Sequence, residues 1–192
     1  MDEDKKQQKI FGIGLSRTGT RSLTRALKDL GFKIAHFPND RVTYKELCKG
    51  QFNFSLLKDH DGITDITTIP YYKQLDATYP NAKFILTIRD KEKWLVGIEG
   101  HFHRIQMPKI LPDILTKNKV RRFLRAAVYG TYHFNKERMS YVYDAHYKQV
   151  IQHFKGREHK LLIINITGGE GWEKLCPFLG VPIQTEPFPK KK

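Results

Sequence analysis

The sequence predicts an α/β protein, a parallel β-sheet flanked by helices on both faces and folded as a single domain. Short, near-continuous apolar runs such as KFILTI at residues 83–88 and LLIINI at residues 161–166 read as strands buried on both faces. Segments with apolar residues at helical spacing lie between such runs, so strand and helix alternate. The length agrees, because 192 residues suit one domain. Hydrophobic residues make up 40% and charged residues 28%, which supplies a core and excludes a disordered or collagen-like chain.

The first expected strand is residues 9–13 (KIFGI), followed by a loop over residues 14–19. From Thr20 onward Leu23, Ala26, Leu27 and Leu30 share a helix face, and Gly31 stops that helix. Residues 32–36 read as a second strand, residues 44–57 as a helix of weak periodicity, and residues 62–66 as a short strand. Pro70 suits the first turn of a helix that carries Tyr71, Leu75 and Ala77 and closes before Pro80. Residues 83–88 are the clearest strand, and residues 92–103 a helix. Residues 120–154 read as two helices broken near Gly130 or Asn135. Residues 161–166 give the last strand, and residues 171–180 a short helix ending in glycine. The domain is expected over residues 9–189, after a disordered tail of residues 1–8, with Lys190, Lys191 and Lys192 as a solvated end.

The net charge is +14, from 34 Lys+Arg against 20 Asp+Glu, which favours an anionic ligand: a nucleotide, a nucleic acid or an acidic surface. Cys48 and Cys176 are far apart and in no CxxC pair, so neither a disulfide framework nor a zinc motif is expected. The first nine residues are polar, and no apolar run approaches the ~20 residues of a membrane span. Neither a signal peptide nor a membrane helix is expected, and the expected location is cytoplasmic.

Residues 12–22, GIGLSRTGTRS, join the first strand to the first helix. Glycines let the backbone turn tightly and aim its N–H groups inward, and the helix N-terminus adds partial positive charge, so an anion is welcome. A dinucleotide loop needs GxGxxG, but Arg17 holds the third glycine position. A Walker A loop needs GxxxxGK[ST]; Gly14 and Gly19 fit, yet Thr20 replaces the lysine and Arg21 the metal-binding hydroxyl residue. That disfavours a kinase-like enzyme acting on a metal-bound triphosphate. A plain strand–turn–helix connection, for its part, needs neither two arginines nor four hydroxyls.

LSRTGTRSL resembles the 5′-phosphosulfate loop of the sulfotransferases that use 3′-phosphoadenosine 5′-phosphosulfate (PAPS). YPNAKFILTIRDKEKW and LLIINITGGEGWEKLCPFLGVPIQTEPFP are similar to one sulfotransferase-like subgroup found in microbes and other lineages. The resemblance implies a P-loop-type sheet and donor contacts from Ser16, Arg17, Thr18, Gly19, Thr20, Arg21 and Ser22. In that family a strand ends in Arg followed by Asp or Asn, a Ser stands eight residues after the Arg, and Arg and Ser bind the 3′-phosphate. Arg89-Asp90 matches at the end of the clearest strand, where open α/β sheets place ligands, and the planar guanidinium suits a phosphate monoester. The serine position is Gly97, which has no hydroxyl, and Lys91 replaces the usual proline; Lys91 and Lys93 stand where they could compensate. The subgroup's Asn soon after PFP is replaced by lysines.

The resemblance further implies transfer of a sulfuryl group to a hydroxyl or amine, which needs an in-line nucleophile, a base and cations at the leaving oxygen. Arg17 is the natural cation at the bridging oxygen, and no metal is expected. Asp65, in GITDITTIP, is one candidate base, at a place comparable to the catalytic His of cytosolic sulfotransferases; it needs burial to raise its pKa, and it also reads as a helix cap. His36, in IAHFP, is the other, near where Golgi-type enzymes carry their catalytic Glu; imidazole suits the role without tuning, and His36 also reads as a satisfied core histidine. Asp59, His60, His101 and His103 are further options. Basic and aromatic residues interleave from 117 to 160 and read as an amphipathic helix pair walling the acceptor pocket. That favours a small-molecule acceptor, anionic or aromatic, over nucleic acid. The rival reading, a non-catalytic binder of adenosine 3′,5′-bisphosphate or nucleic acid, is kept open by Gly97.

Overall fold

The computed structural model describes residues 8–104 and 116–189. Its strands are β1 (Ile10–Gly12), β2 (Ile34–His36), β3 (Gly62–Thr64), β4 (Lys83–Thr87) and β5 (Leu161–Ile164). They form one parallel sheet in the order β2-β3-β1-β4-β5, with Ile10 opposite Gly62 on one side and Lys83 on the other. The helices are α1 (Thr20–Asp29), α2 (Arg41–Cys48), α3 (Tyr72–Thr78), α4 (Lys91–Arg104), α5 (Thr116–Tyr129), α6 (Lys136–Phe154) and α7 (Trp172–Leu179).

Strand side chains alternate between the two faces of the sheet, and this sorts the helices into layers. Phe11, Ile63, Phe84 and Leu86 join a core with Leu75 of α3, Trp94 of α4, Leu124 of α5 and Phe154 of α6. Ile10, Ile34, Ile85 and Ile164 join the opposite core with Leu23 and Leu27 of α1 and Leu175 of α7. The expected α/β architecture is therefore present, with helices on both faces. From β1 the chain moves to the β2 edge, and from β3 it crosses to β4 on the other side of β1. The carboxyl end of β1 is thus the point where connections diverge, the place where such sheets bind ligands.

The helix expected over residues 44–57 is shorter and begins earlier. Asp40 caps it by accepting from the Val42 and Thr43 N–H groups, and it ends at Cys48, before the left-handed Gly50. Residues Ser55–Lys58 form a separate 3₁₀ turn. Pro70 sits in a 3₁₀ turn, Ile69–Tyr71, that feeds α3. Between α5 and α6 both expected breaks act: Gly130 takes a left-handed conformation, and Asn135 caps α6. The expected tail and the terminal lysines lie outside the described residues, apart from Gln8. Among the described residues, no helix is long and apolar enough to cross a membrane.

One polar cluster pins the helical layer to the sheet edge. Asp76 of α3 is 6% exposed and accepts from Lys160, from Arg157 Nη1 at 2.6 Å and from His153 Nε2 at 2.9 Å. Burial pushes its carboxyl up, but hydrogen bonds from Lys160, Arg157 and His153 outweigh this and hold it below the usual carboxylate range.

Candidate active site

The loop after β1 passes very close to β4. A Cβ on Gly14 would lie 1.9 Å from Thr87 Oγ1 and 2.5 Å from the Thr87 carbonyl oxygen, so only glycine permits this approach. The Thr18 hydroxyl donates to the Leu15 carbonyl at 2.6 Å and sits 2.6 Å from Thr87 Oγ1, while Trp94 Nε1 donates to the Ser16 carbonyl at 2.9 Å. These bonds anchor the loop from beneath. The Thr18 side chain is 1% exposed and does not reach the cavity above, unlike the neighbouring loop side chains.

That cavity, of about 450 Å³, is lined by Ser16, Arg17, Gly19, Thr20, Arg21 and Ser22 from the loop and α1, by Asp65 after β3, by Arg89 after β4 and by His101 of α4. Ile166, Thr167 and Gly169, beyond β5, complete it. Sequence reading placed residues 161–166 in a strand and missed this last wall. Its signal was a Gly-Gly pair just past an apolar strand, at the sheet end where ligands gather. Arg17 and Asp65 both have left-handed backbones, with φ of 76° and 77°. Such a conformation costs a non-glycine residue about 1–2 kcal/mol, and such strain concentrates where side chains must be aimed.

Arg89 Nη1 donates to the Arg17 carbonyl at 3.3 Å, and the Tyr143 hydroxyl donates to the Arg89 carbonyl. Gly97 does not line the cavity. A Cβ at Gly97 would lie 3.0 Å from Arg89 Nη1 and 3.9 Å from Arg17 Cβ. The guanidinium of Arg89 lies against this position, so a side chain here would need Arg89 to give by a few tenths of an ångström. Burial lowers the Arg17 pKa, and Arg104, Arg89 and Arg21 lower it further. Arg17 Nε is itself buried and has no partner among the described residues. An anion in this cavity would relieve both conditions at once.

Asp65 does not cap the helix after Pro70. Its Oδ1 accepts from Ser16 Oγ at 3.0 Å, and its Oδ2 lies 3.5 Å from His36 Nε2. His36 stands behind Asp65, outside the cavity lining. Its Nδ1 meets Thr24 Oγ1 at 3.0 Å and Thr64 Oγ1 at 3.1 Å. The Thr24 hydroxyl donates to the Thr20 carbonyl and lies 2.7 Å from Thr64 Oγ1, so His36 Nδ1 joins a hydroxyl network on the side of the ring away from Asp65. Burial lowers the His36 pKa against the pull of Asp65, with Arg21 and Lys28 adding to the lowering. His36 is thus shifted toward its neutral form, with Nε2 facing Asp65. Tyr129 of α5, one of the aromatics that interleave with basic residues from 117 to 160, buries its hydroxyl beside Ser16. Burial raises its pKa, contact with Ser16 lowers it and the Asp65 charge raises it again, so the phenol stays protonated.

Of the other candidates, His101 alone lines the cavity. Burial and the charges of Arg125, Arg17, Arg104 and Arg121 push its pKa down to about 4, so it is a neutral imidazole at pH 7. Asp59, His60 and His103 are not among the lining residues.

A parallel sheet whose central strand ends in a glycine loop, with Arg17, Arg21, Arg89 and Asp65 lining one cavity, is a P-loop-like α/β arrangement suited to an anion. The sulfotransferase domain family matches residues 9–192, and the chain belongs to that family. It is also similar to Ava biosynthesis cluster protein M of Aspergillus versicolor, 24% identical over 210 residues that cover 94% of this chain and 79% of that protein. Family membership gives the chain a sulfotransferase role.

Proposed function

We propose that this protein transfers the sulfuryl group of PAPS to a hydroxyl or amine of a small molecule, by in-line displacement and without a metal. The observation that carries the reading is the convergence of Arg17, Arg21 and Arg89 on one cavity at the N-terminus of α1, with Arg17 Nε buried and unpartnered. PAPS carries about four negative charges if its terminal phosphate counts as nearly two, and it suits that cluster. Thr20 and Arg21 stand where a Walker loop has its lysine and metal-binding hydroxyl, so charge neutralisation falls to guanidinium and N–H groups. Ser16, Arg17, Thr20, Arg21 and Ser22 would hold the phosphosulfate, and Arg89 the 3′-phosphate. When bound, the donor supplies an activated sulfuryl group. Arg17 then offsets charge on the leaving oxygen, Asp65 takes the acceptor proton, and Ser16 and His36 hold the carboxylate in place.

Calorimetric titration tests the donor site. Adenosine 3′,5′-bisphosphate is expected to bind without magnesium and about tenfold or more tighter than AMP, with ATP–Mg and an oligonucleotide weaker still. Equal affinity for AMP removes the 3′-phosphate site, and preferred binding of the oligonucleotide favours the non-catalytic reading. Arg89→Ala is expected to cost ~1.5–3 kcal/mol of bisphosphate affinity, leave AMP binding unchanged and preserve the melting curve. A collapsed melting curve would make Arg89 a structural residue instead.

A further inference from the structure

We propose that Tyr129 of α5 is a positioning residue for the proton transfer: its buried hydroxyl holds Ser16 Oγ so that the serine proton is committed to Asp65. This rests on the sulfuryl-transfer reading, in which Asp65 takes the acceptor proton. Ser16 Oγ donates to Asp65 Oδ1 at 3.0 Å. A hydroxyl has one proton and two acceptor lone pairs, so that bond alone leaves Ser16 able to turn and give its proton to an oxygen of the sulfuryl donor instead. A group that donates to the serine oxygen decides between the two.

Tyr129 is placed to be that group. The residue is 1% exposed, and its hydroxyl sits beside Ser16, within the field of the Asp65 charge. Among the described residues that hydroxyl completes no hydrogen bond. A buried hydroxyl without a partner is costly, so one that is kept calls for a use. The ring is held in place: it lies edge-on to Phe102 of α4 at 5.4 Å, and Arg138 Nε donates to the Tyr129 carbonyl at 2.7 Å. Ser16 is fixed from its other side by Trp94 Nε1, which donates to its carbonyl at 2.9 Å. The phenol keeps its proton, so it meets the serine as a donor. By occupying a lone pair of Ser16 Oγ it turns the serine proton to Asp65, and it strengthens that bond, because a hydroxyl that accepts also donates better. Asp65 stands on a left-handed backbone, φ of 77°, and Ser16 and His36 aim its carboxylate.

Tyr129→Phe removes the hydroxyl and keeps the ring. At saturating donor and acceptor, kcat is expected to fall about 3- to 10-fold, with affinity for adenosine 3′,5′-bisphosphate held within about twofold. The melting temperature should stay level or rise, because the lost hydroxyl completes no bond. In a Ser16→Ala background the same substitution should change kcat less than about twofold. A purely structural hydroxyl gives the reverse, a lower melting temperature at unchanged kcat. An isotope label on tyrosine Cζ, read by NMR, supplies a readout apart from activity. The Tyr129 resonance, assigned by its loss in Tyr129→Phe, should move in Ser16→Ala and in Asp65→Asn, since each changes what the hydroxyl meets. The proposal falls if Tyr129→Phe leaves kcat unchanged, if its full cost persists without the Ser16 hydroxyl, or if the resonance stays put in both variants. If the wild type turns over no acceptor, the sulfuryl-transfer reading fails separately, and the resonance shifts still decide whether Tyr129 holds Ser16 against Asp65.

Discussion

Asp65→Asn is expected to lower sulfuryl-transfer turnover by ~10²–10⁴-fold while leaving affinity for adenosine 3′,5′-bisphosphate unchanged. The amide keeps the size of the carboxylate, and its oxygen can still accept from Ser16 Oγ, as Oδ1 does at 3.0 Å. It cannot take a proton from the acceptor at neutral pH. His36→Ala should have the smaller effect, because its Nε2 faces Asp65 and the ring stands outside the cavity. It would loosen the carboxylate rather than remove the base. Steady-state kcat with any turned-over phenol or alcohol, beside a calorimetric donor titration, separates these roles. If His36→Ala is the more damaging, the base is His36. If neither substitution lowers kcat, the assignment passes to His101, the neutral imidazole in the same cavity.

Asp76→Asn is expected to destabilise the fold by about 3–5 kcal/mol, because it leaves the buried Lys160 ammonium without its carboxylate. For a chain of this size that corresponds to a fall in melting temperature on the order of 10 °C. The pH dependence has a definite sign. Asp76 is held below its unfolded pKa, so its contribution is full above about pH 4 and is lost as the pH falls through the lower folded value. The difference between wild type and variant should therefore be largest near neutrality and close under acid conditions. Equal melting temperatures at pH 7 would show that Arg157, His153 and Lys160 find other partners at no cost.

The local parts of the site were legible from adjacent residues. A strand, a glycine turn and a helix N-terminus occupy consecutive positions in residues 10–29, so the loop at the end of β1 follows from backbone geometry that one segment sets for itself. Arg89 was legible for the same reason, as the residue at the end of the most apolar strand. The end of α2 was not, because a cap at Asp40 and a left-handed Gly50 overrode a weak hydrophobic period.

Pairings across the chain belong to the tertiary structure. Ser16 and Asp65 are 49 positions apart and meet because β3 pairs with β1; His36 reaches Asp65 because β2 pairs with β3 in register. Thr18 and Arg17 are adjacent in sequence, yet one is locked under the loop against Thr87 and the other lines the cavity. Gly97 reads as a missing hydroxyl in the one-dimensional pattern, and in the fold it lies against the Arg89 guanidinium. Composition and short-range periodicity determined the α/β class, the buried strands and the glycine turn after β1, because those depend on contacts within a few residues. Which carboxylate faces the loop, which histidine backs it and where Arg17, Arg21 and Arg89 meet depended on strand order, because only the closed sheet brings residues dozens of positions apart together.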